Sequence, residues 1–498
     1  MVEIGPTLAN LGFLFQISGI FVLPSIVYSF YLNELNAAFA LLITALVFLC
    51  FGFALNALCE RKKLNLKQSC ALLVLFFVFV PLVNSLPYLY LKIFDGGILD
   101  QLLNGWFETM SASSTTGLTL TQGITVPQSL ILARGISEWV GGIGVIFIML
   151  SSFYSSESLF CFAKVLGIEK VAKSYKGSFL VVLLIYLIYT IFFSAILITL
   201  GLDAFTAFHT TFTVFSTTGL TIVNILKLPI LAIIAITVMM LLSALSFTFH
   251  LNLFSSICGL DWKSLFKRKR KMFRDSLSKV NWKKLLSTEL KLYVVLLSLF
   301  TLGFWYASGL PPLRAFFHIV DFSSSCGLNL VNFEEIGEMG KIILVIVMFI
   351  GPMSFSIGGG LRVLRVYILA KALLALPKTF LTGTTPRIKL EKDYVETPDF
   401  IIHALIVLLF TIVTFLATLV LLNYGYGLVD ALVESVSAIT TTGDSPKILT
   451  PSFPFIPKVL LILLMLAGRI EIIPIFIAFS RVEEKKRVLP NNLVHRRF

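Results

Sequence analysis

Charge is scarce in this 498-residue chain: Asp, Glu, Lys and Arg supply 13% of it, against about 25% in an ordinary soluble domain. With 57% hydrophobic residues and a mean hydropathy of +0.93, a soluble enzyme on one anchor is excluded. At roughly 20 apolar residues per crossing, the chain has material for about ten spans and little left for a second domain. Cysteine is equally thin. Cys50, Cys59, Cys70, Cys161, Cys258 and Cys326 stand singly, without a CxxC pair or a histidine at ligand spacing, which excludes a disulfide framework and a zinc site. No Lys or Arg precedes Arg61, so the basic segment of a cleavable signal peptide is missing and the first apolar run is expected to be a retained helix. HExxH, GxSxG, GxGxxG and paired intramembrane aspartates are also lacking, which removes the usual grounds for an intramembrane enzyme or a nucleotide site on this chain. No span repeats Lys or Arg at every third position, as a voltage sensor would.

What is present is a series of long apolar runs near 11–32, 37–58, 70–94, 128–152, 178–202, 228–258, 288–309, 340–373, 399–423 and 455–480. Lys and Arg collect between them. Segments 59–69, 153–177, 259–291, 361–398 and 481–498 hold 32 of the 40 basic residues, and all five fall on one side of a ten-span layout. Because basic residues gather on the cytoplasmic side, both termini are expected in the cytoplasm. The run Lys267-Arg268-Lys269-Arg270-Lys271 sits in one of these loops. It reads as an orientation signal that meets anionic lipid or a cytosolic partner, not nucleic acid.

One short sequence recurs four times: Ser113-Ser114-Thr115-Thr116-Gly117-Leu118-Thr119, Phe215-Ser216-Thr217-Thr218-Gly219-Leu220-Thr221, Ser323-Ser324-Ser325-Cys326-Gly327-Leu328-Asn329 and Ile439-Thr440-Thr441-Thr442-Gly443-Asp444-Ser445. The glycines are 102, 108 and 116 residues apart, and each copy lies between two spans on the expected outer side. The unit is therefore span, loop, span. Asp100, Asp203 and Asp430 suit helix N-caps, and Pro311-Pro312 suits a first turn. The dozen mostly apolar residues that follow are too few to cross, which predicts short re-entrant helices. Irregular backbone at membrane depth is tolerated only inside protein or along a water-filled path, and four such loops around one axis meet that condition by lining a pore. A permeating cation exchanges its water for backbone carbonyls; glycine lets them turn inward, and neighbouring hydroxyls brace the loop or add ligands. Helix C-terminal ends aimed at the axis favour cations.

On these residues the chain resembles the Trk/Ktr/HKT superfamily of potassium transporters. Glu138-Trp139-Val140-Gly141-Gly142-Ile143-Gly144, the Gly351 to Gly360 stretch with Leu361-Arg362-Val363-Leu364-Arg365, and Leu466-Ala467-Gly468-Arg469-Ile470-Glu471 extend the likeness, and two spans before the first repeat resemble the TrkH branch. The resemblance implies an all-α polytopic membrane protein with two N-terminal helices (1–69) and four membrane–pore loop–membrane repeats (70–177, 178–287, 288–398 and 399–498) around a central pore. It implies potassium uptake across the cell membrane as a channel or symporter, with a potassium-binding filter at Thr115, Thr116, Gly117, Thr217, Thr218, Gly219, Ser325, Cys326, Gly327, Thr441, Thr442 and Gly443. Glycine in all four repeats goes with potassium preference in the family, and a less selective sodium/potassium pathway is the near alternative. The resemblance further implies a homodimer, a cytosolic ring of nucleotide-binding regulatory subunits, contact with membrane lipids, and no cofactor on this chain, potassium being the substrate.

Two departures stand out. Cys326 replaces the usual Thr, and Asp444 either raises cation concentration at the pore mouth or caps a turn. Span 340–373 is interrupted by Gly351-Pro352-Met353-Ser354-Phe355-Ser356-Ile357-Gly358-Gly359-Gly360, which is either a packing kink or, as in the family, an intramembrane gate involving Gly351, Pro352, Ser354, Ser356, Gly358, Gly359 and Gly360. The gate reading rests partly on the break's falling in only one of the four repeats. Arg469, too deep to reach the interface, is a gating candidate that also suits an ion pair with Glu471. Glu108, Thr210, His318 and Glu434 each stand nine residues before a filter glycine, where they either face the filter's supporting shell or, the favoured reading, anchor the short helices by hydrogen bonds. His250, His403 and His495 are isolated interfacial groups.

Overall fold

The computed structural model describes residues 4–152, 175–258, 287–328, 330, 333–382, 389–390, 393–394, 397–446 and 448–480. The Lys267 to Lys271 run, Asn329, His495 and the 481–498 tail lie outside them.

Two antiparallel helices open the chain, α1 (Gly5–Tyr31) and α2 (Leu35–Leu58). Both are apolar around their circumference, and a line of small residues on α2, Ala37, Ala38, Ala40, Thr44 and Ala45, turns inward while Leu42, Leu46, Phe51 and Phe53 face out. Lipid tails are as apolar as these side chains, so close packing decides which face is buried. The α1–α2 turn is tied to the first repeat through Glu34, whose carboxylate accepts the Gln128 and Ser129 amides at 3.0 Å each. An acid at that helix start satisfies donors that the helix itself leaves open.

Four units follow, each a span, a short helix, a Ser/Thr-Gly segment and an inner helix. The first has α3 (Leu66–Asn84) with its extension α4 (Leu86–Tyr90), the short helix α5 (Ile98–Ser113) and the inner helix α6 (Gln128–Ser152). The second has α7 (Tyr175–Thr199), α8 (Ala204–Phe215) and an inner pair, α9 (Ile230–Ala244) and α10 (Phe247–Cys258). The third has α11 (Thr288–Ser308), α12 (Pro312–Ser324), α13 (Glu338–Ile350) and α14 (Val363–Thr382). The fourth has α15 (Thr397–Asn423), α16 (Leu428–Thr440), α17 (Phe455–Ile470) and α18 (Ile472–Phe479). One antiparallel strand pair, Lys389–Leu390 with Asp393–Tyr394, interrupts this all-α architecture.

Among the described residues six helices are long and apolar enough to span, and counting each sharply bent pair as one span makes eight. The α6 helix and the α13–α14 pair occupy the other two expected crossings. Among the short helices, Asp203 is an N-cap, accepting the Thr206 amide at 3.0 Å, and Pro311 and Pro312 open α12. Asp100 and Asp430 do not cap. Gly97 and Gly427 hold the N-cap positions, and the two acids sit in the first turn, where negative charge favours the helix start. The expectation of a break in one repeat is also corrected: α9 and α10 meet at 105° and α17 and α18 at 97°, so three of the four inner helices are broken.

The apolar core divides in two. One body joins the N-terminal helices to repeats one and four, with Phe48, Phe77, Phe107 and Phe410 fully buried. The other joins repeats two and three around Tyr186, Phe304, Phe317 and Phe322. The four Ser/Thr-Gly segments adjoin both bodies, Leu118 and Ile439 packing in the first and Phe215 and Cys326 in the second.

Candidate functional site

Each short helix ends beside the axis on a residue with left-handed backbone. Thr115, Thr217, Ser325 and Thr441 have φ of 54°, 61°, 61° and 52°, two positions before each glycine. Left-handed backbone costs a non-glycine residue roughly 1–2 kcal/mol, so four equivalent instances mark an imposed geometry. All four hydroxyls are buried and, among the described residues, bond to no protein atom.

Gly117, Gly219, Gly327 and Gly443 follow at φ of 94°, 79°, 78° and 91°. A Cβ on Gly117 would collide with the Thr218 carbonyl oxygen, one on Gly219 with that of Cys326, one on Gly327 with that of Thr442, and one on Gly443 with that of Thr116. The four segments therefore form a closed ring in chain order. Behind it, hydroxyl pairs stiffen three repeats: Ser114 with Thr116 at 2.7 Å, Ser216 with Thr218 at 2.7 Å, and Thr440 with Thr442 at 2.8 Å. Repeat three has no such pair. Ser324 donates to the Asp321 carbonyl at 3.0 Å, and the Cys326 thiol reaches the Val214 carbonyl of the neighbouring repeat at 3.7 Å.

The residue six before the glycine holds the segment from the helix side, by its side chain in repeats one, three and four and in repeat two by the Thr213 carbonyl, which accepts the Thr218 and Gly219 amides. Ser111 and Ser437 accept the amides of Gly117 and Gly443 at 3.0 Å, and the Asp321 carboxylate accepts the Leu328 amide at 2.8 Å. Of the two roles weighed for the residues nine before, the two acids take the supporting one and not that of helix anchors. Glu108 accepts from Thr119 and Thr121 hydroxyls at 2.8 and 3.0 Å and from the Leu120 amide at 2.9 Å, and Glu434 accepts from the Ser445 hydroxyl at 2.6 Å. Both acids brace the residues that follow the glycine. Thr210 and His318 are buried, and among the described residues their side chains make no hydrogen bond.

On the loop side the ring opens into a vestibule of about 500 Å³ lined by the four glycines, with Thr119, Thr121, Arg134, Thr221 and Ser445 among its walls. Asp444 is fully buried and does not line it. Of the two roles weighed for this acid, the one at the pore mouth therefore loses its position.

On the other side lies the glycine-rich segment between α13 and α14. A Cβ on Gly358 would meet the Ser324 carbonyl and one on Gly359 would meet the carbonyl and hydroxyl oxygens of Thr440 and Thr441, so this segment presses on the base of repeats three and four. It is also stitched to the break in repeat two: Met353 N donates to Ala244 O at 3.2 Å and Phe247 N to Phe355 O at 2.8 Å. The bulky Met353 and Phe355 are buried there, with Phe355 and Phe247 ring centroids 5.4 Å apart. Ser354 N donates to the Glu289 carboxylate at 2.6 Å, and the Arg362 guanidinium to Ser356 Oγ at 2.9 Å. Gly351, Pro352, Ser354, Ser356 and Gly360 thus lie in one segment with Gly358 and Gly359, below the ring.

Arg469 reaches this segment. Its guanidinium donates to Ile357 O at 3.0 Å, to Gly142 O at 2.9 Å and to Gly141 O, tying the glycine-rich segment to α6. Glu471 pairs instead with Arg365 at 2.7 Å, with side chains 9% and 4% exposed. Among the described residues no group of three His, Cys, Asp or Glu side chains is placed to hold a metal.

The comparisons with known proteins agree on one relationship. An uncharacterised cation transporter of Methanocaldococcus jannaschii is 26% identical over 479 residues, covering 94% of each chain. The Trk system potassium uptake protein TrkH of Escherichia coli K12 is 23% identical over 495 residues, covering 93% of this chain and 95% of its own. The crystal structure of the potassium transporter TrkH from Vibrio parahaemolyticus superposes with a TM-score of 0.79 at 20% identity, over 97% of this chain and 99% of that one. Residues 37–488 match the TrkH family of cation transport proteins, and this chain, a transporter and not an enzyme, belongs to that family.

Proposed function

We propose that this chain takes up potassium across the cell membrane through the ring at Gly117, Gly219, Gly327 and Gly443. The observation that carries the reading is the closure of that ring, each glycine seated against the carbonyl of the next repeat. Carbonyls gathered in this way replace an ion's hydration shell. The buried hydroxyls of Thr115, Thr217, Ser325 and Thr441 supply a second layer of oxygen, and four helix C-termini set a negative potential around both. The repeats begin with their first helices, at Leu66, Tyr175, Thr288 and Thr397, a few residues from the starts at 70, 178, 288 and 399 read from the sequence, and both termini face the cytoplasm. The segment from Gly351 to Gly360 closes the path from below, held by Arg469. A homodimer and a cytosolic nucleotide-binding regulatory ring complete the assembly, with the Lys267 to Lys271 run as its docking charge; family membership is the ground for this last point.

A less selective sodium/potassium pathway is favoured by one observation, the missing hydroxyl pair at Cys326. Purified protein in liposomes, assayed with potassium, rubidium, sodium and lithium, separates the readings. Potassium and rubidium flux well above sodium and lithium is expected. Equal sodium flux selects the second reading, and no cation flux overturns both.

A further inference from the structure

Among the described residues that line the vestibule, Arg134 alone is charged. A guanidinium there would repel the cations that the ring is built to accept. Its surroundings cancel it: one guanidinium nitrogen lies 2.9 Å from Glu108 and 3.3 Å from the Thr121 hydroxyl, and Nε lies 3.7 Å from Glu138. Arg134 is 8% exposed at its side chain, and both acids are fully buried. The same Glu108 carboxylate holds Thr119, Leu120 and Thr121, so neutralisation and positioning share one group. The equivalent acid in repeat four, Glu434, has the Ser445 contact but no cationic partner among the described residues. Arginine suits the pivot because its planar fork reaches acid and hydroxyl together, which a lysine point charge cannot do.

We infer that Glu108 and Arg134 form a charge lock on the vestibule wall of the first repeat, in which Glu108 is a positioning residue that sets how readily cations approach the ring. The inference rests on the proposed pore. With Glu138 still 3.7 Å from Nε, loss of the Glu108 charge makes the cluster one unit more positive, and this lowers cation occupancy at the ring on the order of threefold at low salt, the effect of one unit charge at roughly 7 Å in a water-like dielectric. Screening over about 10 Å at 0.1 M salt removes most of that difference.

The test is rubidium flux in liposomes at low and high ionic strength, set with an impermeant organic cation. The unaltered chain is measured first, and absence of flux there overturns the pore reading itself. Given flux, E108Q is expected to be about threefold slower at low salt and to approach the unaltered chain at high salt, while E108Q/R134Q loses the salt dependence. A loss in E108Q that is the same at all ionic strengths, or one that R134Q leaves unchanged, overturns the lock and leaves Glu108 a purely structural brace. Should E108Q not assemble, E108D/R134K keeps both charges. Its flux is expected to carry the parent's salt dependence whatever its rate, and a new salt dependence overturns the inference.

Discussion

Replacing Arg469 by Ala removes three charge-assisted contacts at once, to Ile357 O at 3.0 Å, to Gly142 O at 2.9 Å and to Gly141 O. Only the first bears directly on the glycine-rich segment; the other two fix the guanidinium to α6. A hydrogen bond from a charged group contributes about 1.5–3 kcal/mol net, so losing the Ile357 tether alone shifts a closed-to-open ratio by more than tenfold. The added effect of removing a positive charge below the ring acts in the same direction, and Arg469→Lys separates the two. Lysine keeps the charge but cannot bridge Ile357 and Gly142 with one planar fork. If the tether dominates, both variants raise basal rubidium uptake into liposomes tenfold or more, with the potassium-to-sodium ratio little changed. If the charge dominates, Lys behaves as Arg. Unaltered uptake in both variants, at normal yield and monodispersity, refutes the gate and leaves the segment a packing kink.

Serine at Gly117, Gly219, Gly327 or Gly443 should lower potassium flux or its ratio to sodium in each case, because the added Cβ must displace a backbone carbonyl; normal selectivity in all four well-expressed variants would remove these glycines from the filter. Cys326→Thr restores a hydroxyl within reach of Ser324, as in the other repeats, and should raise the potassium-to-sodium flux ratio, whereas an unchanged ratio would show that the missing pair does not relax selectivity. Glu471→Gln breaks the buried ion pair with Arg365, a change that costs up to about 3–5 kcal/mol in comparable sites; the unfolding temperature in detergent should fall by several degrees, and no fall would mean that the pair is compensated elsewhere.

The architecture was legible because it repeats. Four Ser/Thr-Gly segments at matched places between apolar runs announce span, loop and span without any knowledge of contacts, and basic residues sort the connecting loops. The breaks were less legible for a definite reason. Gly351, Pro352 and Gly358 to Gly360 advertise the one in repeat three, but Leu245 and Ser246 carry no such mark, and that break is held by Phe247 N bonding to Phe355 O in another repeat. The bend at Glu471 is likewise secured by distant Arg365. Tertiary partners of this kind leave no local signal. The left-handed Thr115, Thr217, Ser325 and Thr441 were hidden because residue type points away from that conformation, and only their equivalence across repeats could have raised the question. Asp444 shows a third limit: sequence places it beside Gly443, while only side-chain direction decides whether it faces the vestibule or protein.

The ring has a sense of rotation. Gly117 abuts the carbonyl before Gly219, Gly219 the one before Gly327, Gly327 the one before Gly443, and Gly443 returns to the one before Gly117. A side chain added in one quadrant therefore leaves that quadrant's own oxygen in place and displaces its successor's. Damage is delivered forward, and so is its remedy: a second substitution that restores selectivity belongs one repeat ahead of the first. A chain that encodes all four quadrants separately can accept such a correction at a single position, which a ring of four identical subunits cannot.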